Sequence, residues 1–358
     1  MQDTNPYHSF RLDANDVNFR VQHLRVFELI EKIEEDKLDI LEGDRSLQRY
    51  LDKWDTCQKS SFIESLMLDF PLPVFYFDGS LTQWKIIDGI KRILAIYQFM
   101  SGKYELAGLD YFKEEAENAN YEKLPGYLRN RIRNAEAVVY IINPGTPLRV
   151  RYNIFKRINT SGVEKSSKMF YSRNGMKTRN VFFRGKINGW IRKASVNGDF
   201  RKLTKPAGPA SVGSKMIGRR EYVSLFIAFQ MGESDFCQGN IEDFMAAGLL
   251  SFYESFEEKK ESLLSLFERS MERMRRLFSE NHYTLFPTKQ EDMLVFNGWA
   301  RLLAGMDSVE FERLESRKES MLNRYGETNF YQDAVSCADR SVGEWFDELC
   351  KFVNPYIQ

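Results

Sequence analysis

The segment from residue 74 to residue 100 most constrains how this chain can fold. It contains two apolar runs, VFYF at 74–77 and WKII at 84–87, separated by the turn-forming residues DGS at 78–80. This order predicts a β-hairpin. An Asp-Gly pair at 88–89 follows the second run, and apolar residues then recur at helical spacing, so the chain passes from a strand through glycine into a helix. The residues that predict this helix are Ile90, Ile93, Leu94 and Tyr97.

The glycine at this junction indicates a place where an anion can bind. The first N–H groups of a helix have no partner within the helix and carry the positive end of its dipole, and glycine lets an anion approach them closely. Arg92 lies one turn into the helix, where its guanidinium can fork onto phosphate oxygens. Asp88 could hold a metal ion, orient a water molecule, order Arg92 or simply cap the helix. We therefore predict a phosphate-binding site here.

The rest of the N-terminal half mixes helix and strand signals. A helix is predicted over 22–36, where Val26, Leu29, Ile30 and Ile33 have helical spacing, and a strand over 137–142. Ser61 and Glu64 have the spacing of a capping box, which predicts the start of a second helix. A further helix is predicted through Arg151, Phe155 and Ile158, ending near Asn159.

Strand signals fade after residue 166, and helical periodicity dominates. KPAGPASVGSK at 205–215 is typical of a loop or linker. The clearest helix is predicted over 261–278, with an apolar face of Phe267, Met271, Met274 and Phe278 and a charged face of Glu268, Glu272, Arg273 and Arg276. We predict an α+β fold with two domains, residues 1–165 and residues 166–358, the second comprising a basic linker region to about residue 218 and a mainly helical domain.

The distribution of charge is uneven although its total is zero. Residues 149–220 contain 19 basic and two acidic residues, a net charge of +17, so the rest of the balanced chain carries −17. Such a segment favours an anionic ligand, and its interleaved aromatic residues suit nucleic acid. Docking of this segment against the acidic remainder of the chain is the alternative. The aromatic residues are Phe155, Phe170, Tyr171, Phe182, Phe183 and Trp190, and the candidate DNA contacts are Arg173, Lys177, Arg179, Arg184, Lys186, Arg192, Lys193, Arg201 and Lys202.

Several classes of protein are disfavoured by what the sequence lacks. The three histidines, His8, His23 and His282, form no zinc-binding motif, and no GKS or GKT P-loop is present, so we predict neither a metal site nor a P-loop NTPase. The four cysteines show no spacing of a disulfide framework. No apolar run is long enough to cross a bilayer, and the first twenty residues lack the apolar region of a signal peptide. We therefore predict a soluble, cytoplasmic protein without a membrane partner.

Four segments, in this order, resemble one known family. They are LQRYLDKW at 47–54, SFIESLMLDFPLPVFYF at 61–77, IIDGIKRILAIYQFM at 86–100 and YNIFKRINTSG at 152–162, with a weaker continuation at 218–229. Together they resemble the N-terminal domain of GmrSD-type modification-dependent restriction proteins, which is related in fold to ParB and sulfiredoxin.

The resemblance implies a ParB and sulfiredoxin-like nucleotide-binding domain that acts in bacterial anti-phage defence, with a nuclease partner that is typically a separate HNH domain. The family signature after the strand, Asp-Gly-x-Gln-Arg, supports nucleotide hydrolysis. Asp88, Gly89 and Arg92 match this signature, but Lys91 occupies the glutamine position. An ammonium group has no acceptor with which to orient a water molecule. We therefore predict that the site binds a nucleotide and that its hydrolysis is slow or lost.

The resemblance also places further residues at the predicted site. The catalytic candidates are Asp88 and Arg92, and the candidates for nucleotide binding are Gly89, Lys91, Arg92, Arg49, Arg157 and Asn159. Arg49 with Trp54 could line the pocket, and Arg157 with Asn159 could close its other side. Each of these arginines could instead be a structural salt-bridge or turn residue. The expected ligand is a nucleoside triphosphate, with Mg²⁺ as a possible companion ion.

Taken together, these patterns predict a nucleotide-binding regulatory or sensor module of a restriction-like defence system that contacts DNA through its basic middle segment. Two alternatives stay open at this point: an active NTPase subunit, and a protein-interaction module without catalysis.

Overall fold

A computed structural model describes the chain in two compact units, one within Phe10–Gly162 and the other within Val163–Gln358. The described residues are 17–40, 54–160, 179, 182–183, 185–204, 218–232, 241–278, 290–327 and 342–358. The first unit contains the strands β1 (Phe19–Arg25), β2 (Leu38–Asp39), β3 (Phe75–Asp78), β4 (Trp84–Asp88) and β5 (Glu136–Ile142). Its helices are α1 (Val26–Glu34), α2 (Thr56–Met67), α3 (Ile90–Met100), α4 (Lys113–Ala116), α5 (Gly126–Asn134) and α6 (Leu148–Thr160).

The five strands form a mixed sheet in the order β1-β5-β3-β4-β2. β3 pairs with β4 antiparallel and with β5 parallel, while β1 runs antiparallel to β5. The predicted hairpin is therefore confirmed, and its register shifts between Tyr76 and Phe77. The strand predicted over 137–142 is confirmed as β5, and the helices predicted after Gly89 and through Arg151 are confirmed as α3 and α6.

One face of the sheet forms the core of this unit. Alternate residues of a strand point to the same face, and on β3 and β5 those residues are fully buried. They pack with fully buried residues of α1 and α2, so the two sides of the core are a sheet and a helical layer. The residues concerned are Phe75, Phe77, Val139 and Ile141 from the strands and Val26, Ile63, Leu66 and Met67 from the helices.

Three local predictions need correction. The helix predicted over 22–36 begins only at Val26, because residues 22–25 pair with β5 as part of β1. The predicted capping box is wrong, since Asp55 and Gln58 form that box and Glu64 is buried. The Glu64 carboxylate accepts hydrogen bonds from the backbone amides of residues 110–112. The predicted apolar face of α3 is confirmed only in part: Ile93 is buried and Ile90, Leu94 and Tyr97 pack partly buried against the core, but the fully buried residues also include Ala95, Ile96 and Phe99.

The second unit is helical throughout its described residues. Its helices are α7 (Lys186–Ser195), α8 (Gly198–Leu203), α9 (Arg219–Met231), α10 (Ile241–Glu254), α11 (Phe256–Leu277), α12 (Gln290–Gly305), α13 (Ser308–Ser316), α14 (Lys318–Glu327) and α15 (Val342–Ile357). Every residue of α9 from Glu221 to Phe229 is buried, so α9 is the central helix around which the others pack. A mainly helical C-terminal region is thus confirmed, as is the α+β class of the whole chain, while the relation to the ParB and sulfiredoxin fold stays a prediction.

The predicted apolar face of α11 is confirmed, whereas its charged face is only partly so. Phe267, Met271 and Met274 are fully buried. Arg273, predicted on the charged face, is buried as well and donates hydrogen bonds of 2.7 Å to the carbonyls of Leu303 and Met306. These carbonyls lie at the end of α12, where the last C=O groups of a helix lack intrahelical partners. None of the described helices is long and apolar enough to cross a membrane.

The packing of α10 on α9 predicts that a Gly→Ala substitution lowers stability at one helical position and does not lower it at another. A Cβ atom at Gly248 would lie 2.4 Å from the Cα atom of Ala228, so we expect Gly248→Ala to lower the free energy of unfolding by about 1–3 kcal/mol. At Gly189, inside α7, a Cβ atom would meet nothing within 4 Å, and Gly189→Ala should be neutral or stabilising by up to about 1 kcal/mol. Urea unfolding of the full chain measures both, and equal effects would contradict the packing.

Candidate functional site

The predicted junction is built as a strand that ends in a left-handed glycine. β4 ends at Asp88, and Gly89 occupies the N-cap position of α3 with φ 97° and no side-chain hydrogen bond to the first amides of the helix. A Cβ atom at Gly89 would lie 2.3 Å from Cδ1 of Phe75. Both the positive φ and the close packing on Phe75 therefore require glycine. The first backbone N–H groups of α3 carry no side-chain cap.

Arg92 is anchored at the beginning of the neighbouring strand. Its Nη2 donates to Oδ2 of Asp88 at 2.8 Å and to the carbonyl of Val74 at 3.2 Å, and its Nη1 donates to the carbonyl of Pro73. The guanidinium lies 4.4 Å from the centroid of the Phe75 ring. The Arg92 side chain is 14% exposed, whereas that of Asp88 is 44% exposed. This arrangement ties the end of β4 and the first turn of α3 to the start of β3.

The charge of Arg92 has two opposing influences. Burial lowers the pKa of Arg92, and the nearby Asp88 carboxylate acts against this lowering. An arginine remains protonated at neutral pH even so. The positive charge therefore offsets the carboxylate of Asp88, which would otherwise repel an anion at the start of α3.

The geometry separates the roles that the sequence left open for Asp88 and Arg92. Asp88 orders Arg92 and is not the helix cap, because Gly89 occupies that position. The Nη atoms of Arg92 are bonded to Asp88 and to two backbone carbonyls, and the fork from Arg92 onto phosphate stays a prediction. Arg92 is thus a positioning residue for the junction.

Asn159 lies at the same end of the sheet. Its Nδ2 donates to the carbonyl of Ile87 at 3.3 Å and to that of Phe155 at 2.9 Å, which joins the end of α6 to the end of β4. Lys91 lies in the first turn of α3 and is half-buried, and Arg157 is exposed on α6. Arg49 lies outside the described residues. The structure therefore brings Asp88, Gly89, Lys91, Arg92 and Asn159 together.

Sequence reasoning missed the contacts that hold α6 on the sheet. Nη1 of Arg151 donates to Oδ2 of Asp78 at 3.0 Å and to Oγ of Ser80 at 2.6 Å. The Arg151 and Asp78 side chains are only 15% and 10% exposed. Asp78 and Ser80 belong to the DGS segment, whose residue types predict a turn. They carry no signal for a contact with Arg151.

The described part of the basic segment divides into exposed and buried cations. Lys186, Arg192 and Lys193 are exposed on α7, as are Arg201 and Lys202 on α8. Four of these residues lie in the last turn of their helix, where the dipole stabilises positive charge. The other candidates, Arg173, Lys177 and Arg184, lie outside the described residues.

Arg179 and most of the described aromatic side chains of this segment are internal. Arg179 is 3% exposed, with its Nη2 at 3.0 Å from Oε2 of Glu221 and its Nη1 at 3.4 Å from Oε2 of Glu242. Phe155, Phe183 and Trp190 are buried. For these residues the predicted contact with nucleic acid is replaced by packing or pairing inside their own unit, because a buried side chain offers nothing to phosphates or bases. In the described residues, no three His, Cys, Asp or Glu side chains gather as metal ligands.

A comparison with protein families bears on the region that holds this junction. Residues 45–168 match the sequence model of the GmrSD restriction endonuclease N-terminal domain. The match confirms the resemblance drawn from the motifs, and it includes both the Asp88–Arg92 junction and α6. It relates this part of the chain to restriction systems. No curated protein and no solved structure matched this chain.

The anchoring of Arg92 predicts a loss of stability when its side chain is removed. Arg92→Ala leaves the carbonyls of Pro73 and Val74 without these donors and Asp88 without its cation. We expect the free energy of unfolding of this unit to fall by about 1.5–3 kcal/mol, the range for hydrogen bonds that involve a charged group. Arg149→Ala is the matched control, because Arg149 is an exposed arginine of the same unit, and its effect should stay within about 0.5 kcal/mol. Thermal unfolding of the full chain compares the two, and an Arg92→Ala protein as stable as the control would contradict the assigned role.

Proposed function

We propose that the unit spanning Phe10–Gly162 binds a nucleotide through its phosphates at the N-terminus of α3. One observation carries this proposal: α3 begins at a left-handed glycine and no side chain caps its first amides. We further propose that this unit, whose sequence matches a restriction-related domain, is a regulatory or sensor module of an anti-phage system.

The surroundings of the α3 N-terminus support an anionic ligand. Backbone N–H groups and the helix dipole favour phosphate at such a position. Lys91 adds a positive charge in the first turn, and the contact between Arg92 and Asp88 offsets the nearest carboxylate. Because Mg²⁺ commonly binds through substrate phosphates together with one or two carboxylates, it would enter this site with the nucleotide.

Binding without efficient hydrolysis is the mode that these residues favour. At Lys91 the amide of the family signature is replaced by an ammonium group, which only donates hydrogen bonds. The carboxylate of Asp88 is held by Arg92 and is less available as a base. An active NTPase is the alternative, and the rate of phosphate release separates the two.

The substitution Lys91→Gln tests binding and hydrolysis together. We expect nucleoside triphosphates with Mg²⁺ to raise the melting temperature of the wild-type protein, since a ligand that binds only the folded state stabilises it. Lys91→Gln removes a charge near the phosphates, so the dissociation constant should rise by about 5- to 10-fold, or ~1 kcal/mol. Restoring the amide should also increase phosphate release per bound nucleotide.

Lys103→Gln is the control for this experiment. It makes the same change beyond the other end of α3, where Lys103 is exposed, and should alter neither quantity. Absence of any nucleotide-induced shift in the wild-type protein would disprove the proposed function. Brisk turnover in the wild type that falls in Lys91→Gln would instead identify an active enzyme in which Lys91 participates.

Contact with DNA is a second candidate function, supported by the exposed cations of α7 and α8. Lysine and arginine side chains that neutralise phosphates release counterions, so affinity falls as salt is raised. For about five phosphates, the slope of log affinity against log salt should be roughly −4.5.

Anisotropy titrations with labelled duplex DNA measure this slope. The double variant Arg192→Ala/Lys193→Ala should make the slope less steep by roughly 2. The control Lys103→Ala/Lys113→Ala removes the same charge from exposed positions of the first unit and should leave the slope unchanged. A flat salt dependence, or no binding at low salt, would favour the alternative in which the basic segment pairs within the chain.

A further inference from the structure

The sheet carries a row of aromatic residues on the face opposite the core. Tyr140 on β5 pairs with Val21 on β1 and with Tyr76 on β3, and Tyr76 in turn pairs with Asp88 on β4. These residues alternate with the buried core residues along their strands, so Tyr76 and Tyr140 lie on the other face. The aromatic row therefore crosses β5 and β3 and reaches Asp88, the last residue of β4, where the junction begins.

The rings of this row pack against one another. The centroids of Tyr76 and Tyr140 are 5.4 Å apart with an angle of 27° between their planes, and Phe19 meets Tyr140 edge-on at 6.3 Å. Tyr76, Tyr140 and Phe19 are only partly buried, and Val21 beside them is 48% exposed. The row is thus a packed aromatic surface that remains partly exposed, unlike the fully buried rings of Phe75 and Phe77 on the core face.

Helix α6 is anchored on the same face of the sheet and leaves both tyrosines partly exposed. Asp78, which shares the outer face of β3 with Tyr76, holds Arg151 of α6, and Asn159 at the far end of α6 reaches the carbonyl of Ile87. The helix consequently runs from the end of β3 to the end of β4, where the junction lies.

We propose that this aromatic row, Phe19, Tyr140 and Tyr76, receives the base of a nucleotide whose phosphates lie at the N-terminus of α3. The inference rests on the proposed function and adds the base subsite to it. Bases stack on aromatic side chains with little regard to sequence, because every base has a π-face. Neighbouring strands are about 4.8 Å apart, so the backbone of Tyr140 lies two strands, ~10 Å, from that of Asp88. Helix α3 packs on the core face, so the ribose and phosphates of the nucleotide would pass over the end of β4 to reach its first amides.

Stacking on these rings predicts that the base contributes to affinity independently of the phosphates. Isothermal titration of the full chain with Mg²⁺ compares ATP, GTP, CTP and UTP with inorganic triphosphate. At least one nucleotide should bind about 5- to 150-fold more tightly than triphosphate, the range that corresponds to ~1–3 kcal/mol of base stacking. This comparison needs no variant, so it does not depend on whether a substituted protein folds.

Variants then locate the base. Tyr140→Leu should abolish the advantage of the nucleotide and leave triphosphate binding unchanged, while Tyr140→Phe, which keeps the ring, should retain that advantage. Tyr111→Leu is the matched control, since Tyr111 is a tyrosine of the same unit that is 73% exposed. Circular dichroism checks that each variant is folded.

The possible results distinguish this inference from the proposed function. Equal affinities for nucleotide and triphosphate, or unchanged nucleotide binding in Tyr140→Leu, would overturn the base subsite while the phosphate site stands. Failure of both nucleotide and triphosphate to bind the wild-type protein would overturn the two together.

Discussion

The guanidinium of Arg92 joins three elements on which the first unit depends. Through Asp88 it holds the end of β4, through the carbonyls of Pro73 and Val74 it holds the start of β3, and its own backbone belongs to the first turn of α3. Its face lies on the ring of Phe75, which also packs against Gly89. Because these contacts converge at one point, the direction in which α3 leaves the sheet is fixed. That direction aims the uncapped amides of α3 at the end of the sheet where Asn159 lies.

Positive charge serves two different purposes in this chain. Arg92, Arg151, Arg179 and Arg273 are largely buried and bind carboxylates or backbone carbonyls, so they fix helices in place. Four of the five exposed cations of α7 and α8 lie in the last turns of their helices. A count of basic residues treats these groups alike, yet only the exposed group is available to an anionic partner. Arg179 shows the difference most clearly, because it belongs to the basic segment but is paired with two glutamates inside the helical unit.

The two faces of the sheet have different roles: one forms the core, and the other carries the proposed binding surface. Phe75, Phe77, Val139 and Ile141 fill the core with α1 and α2. On the other face, α6 is anchored to Asp78 of β3 and to the end of β4, while Tyr76 and Tyr140 stay partly exposed. The same strand β3 thus anchors Arg92 at its start, contributes Phe75 to the core and presents Tyr76 outward. The proposed phosphate site at α3 and the aromatic row on β3 and β5 are neighbours for this reason.

The sequence by itself determined the local elements whose signals lie within a few residues. The hairpin, the glycine junction, α3, α6 and the apolar face of α11 follow from alternation, turn residues and helical spacing, and the motifs indicated the family model that residues 45–168 match. Tertiary structure alone decided that residues 22–25 pair with β5 and that the Glu64 carboxylate accepts hydrogen bonds from backbone amides. It also decided that Arg92 donates to the backbone carbonyls just before β3. It also placed Tyr140 beside Tyr76 and Tyr76 opposite Asp88. These outcomes depend on partners far away along the chain. Neither periodicity nor residue type predicts which strand or carbonyl a side chain will contact.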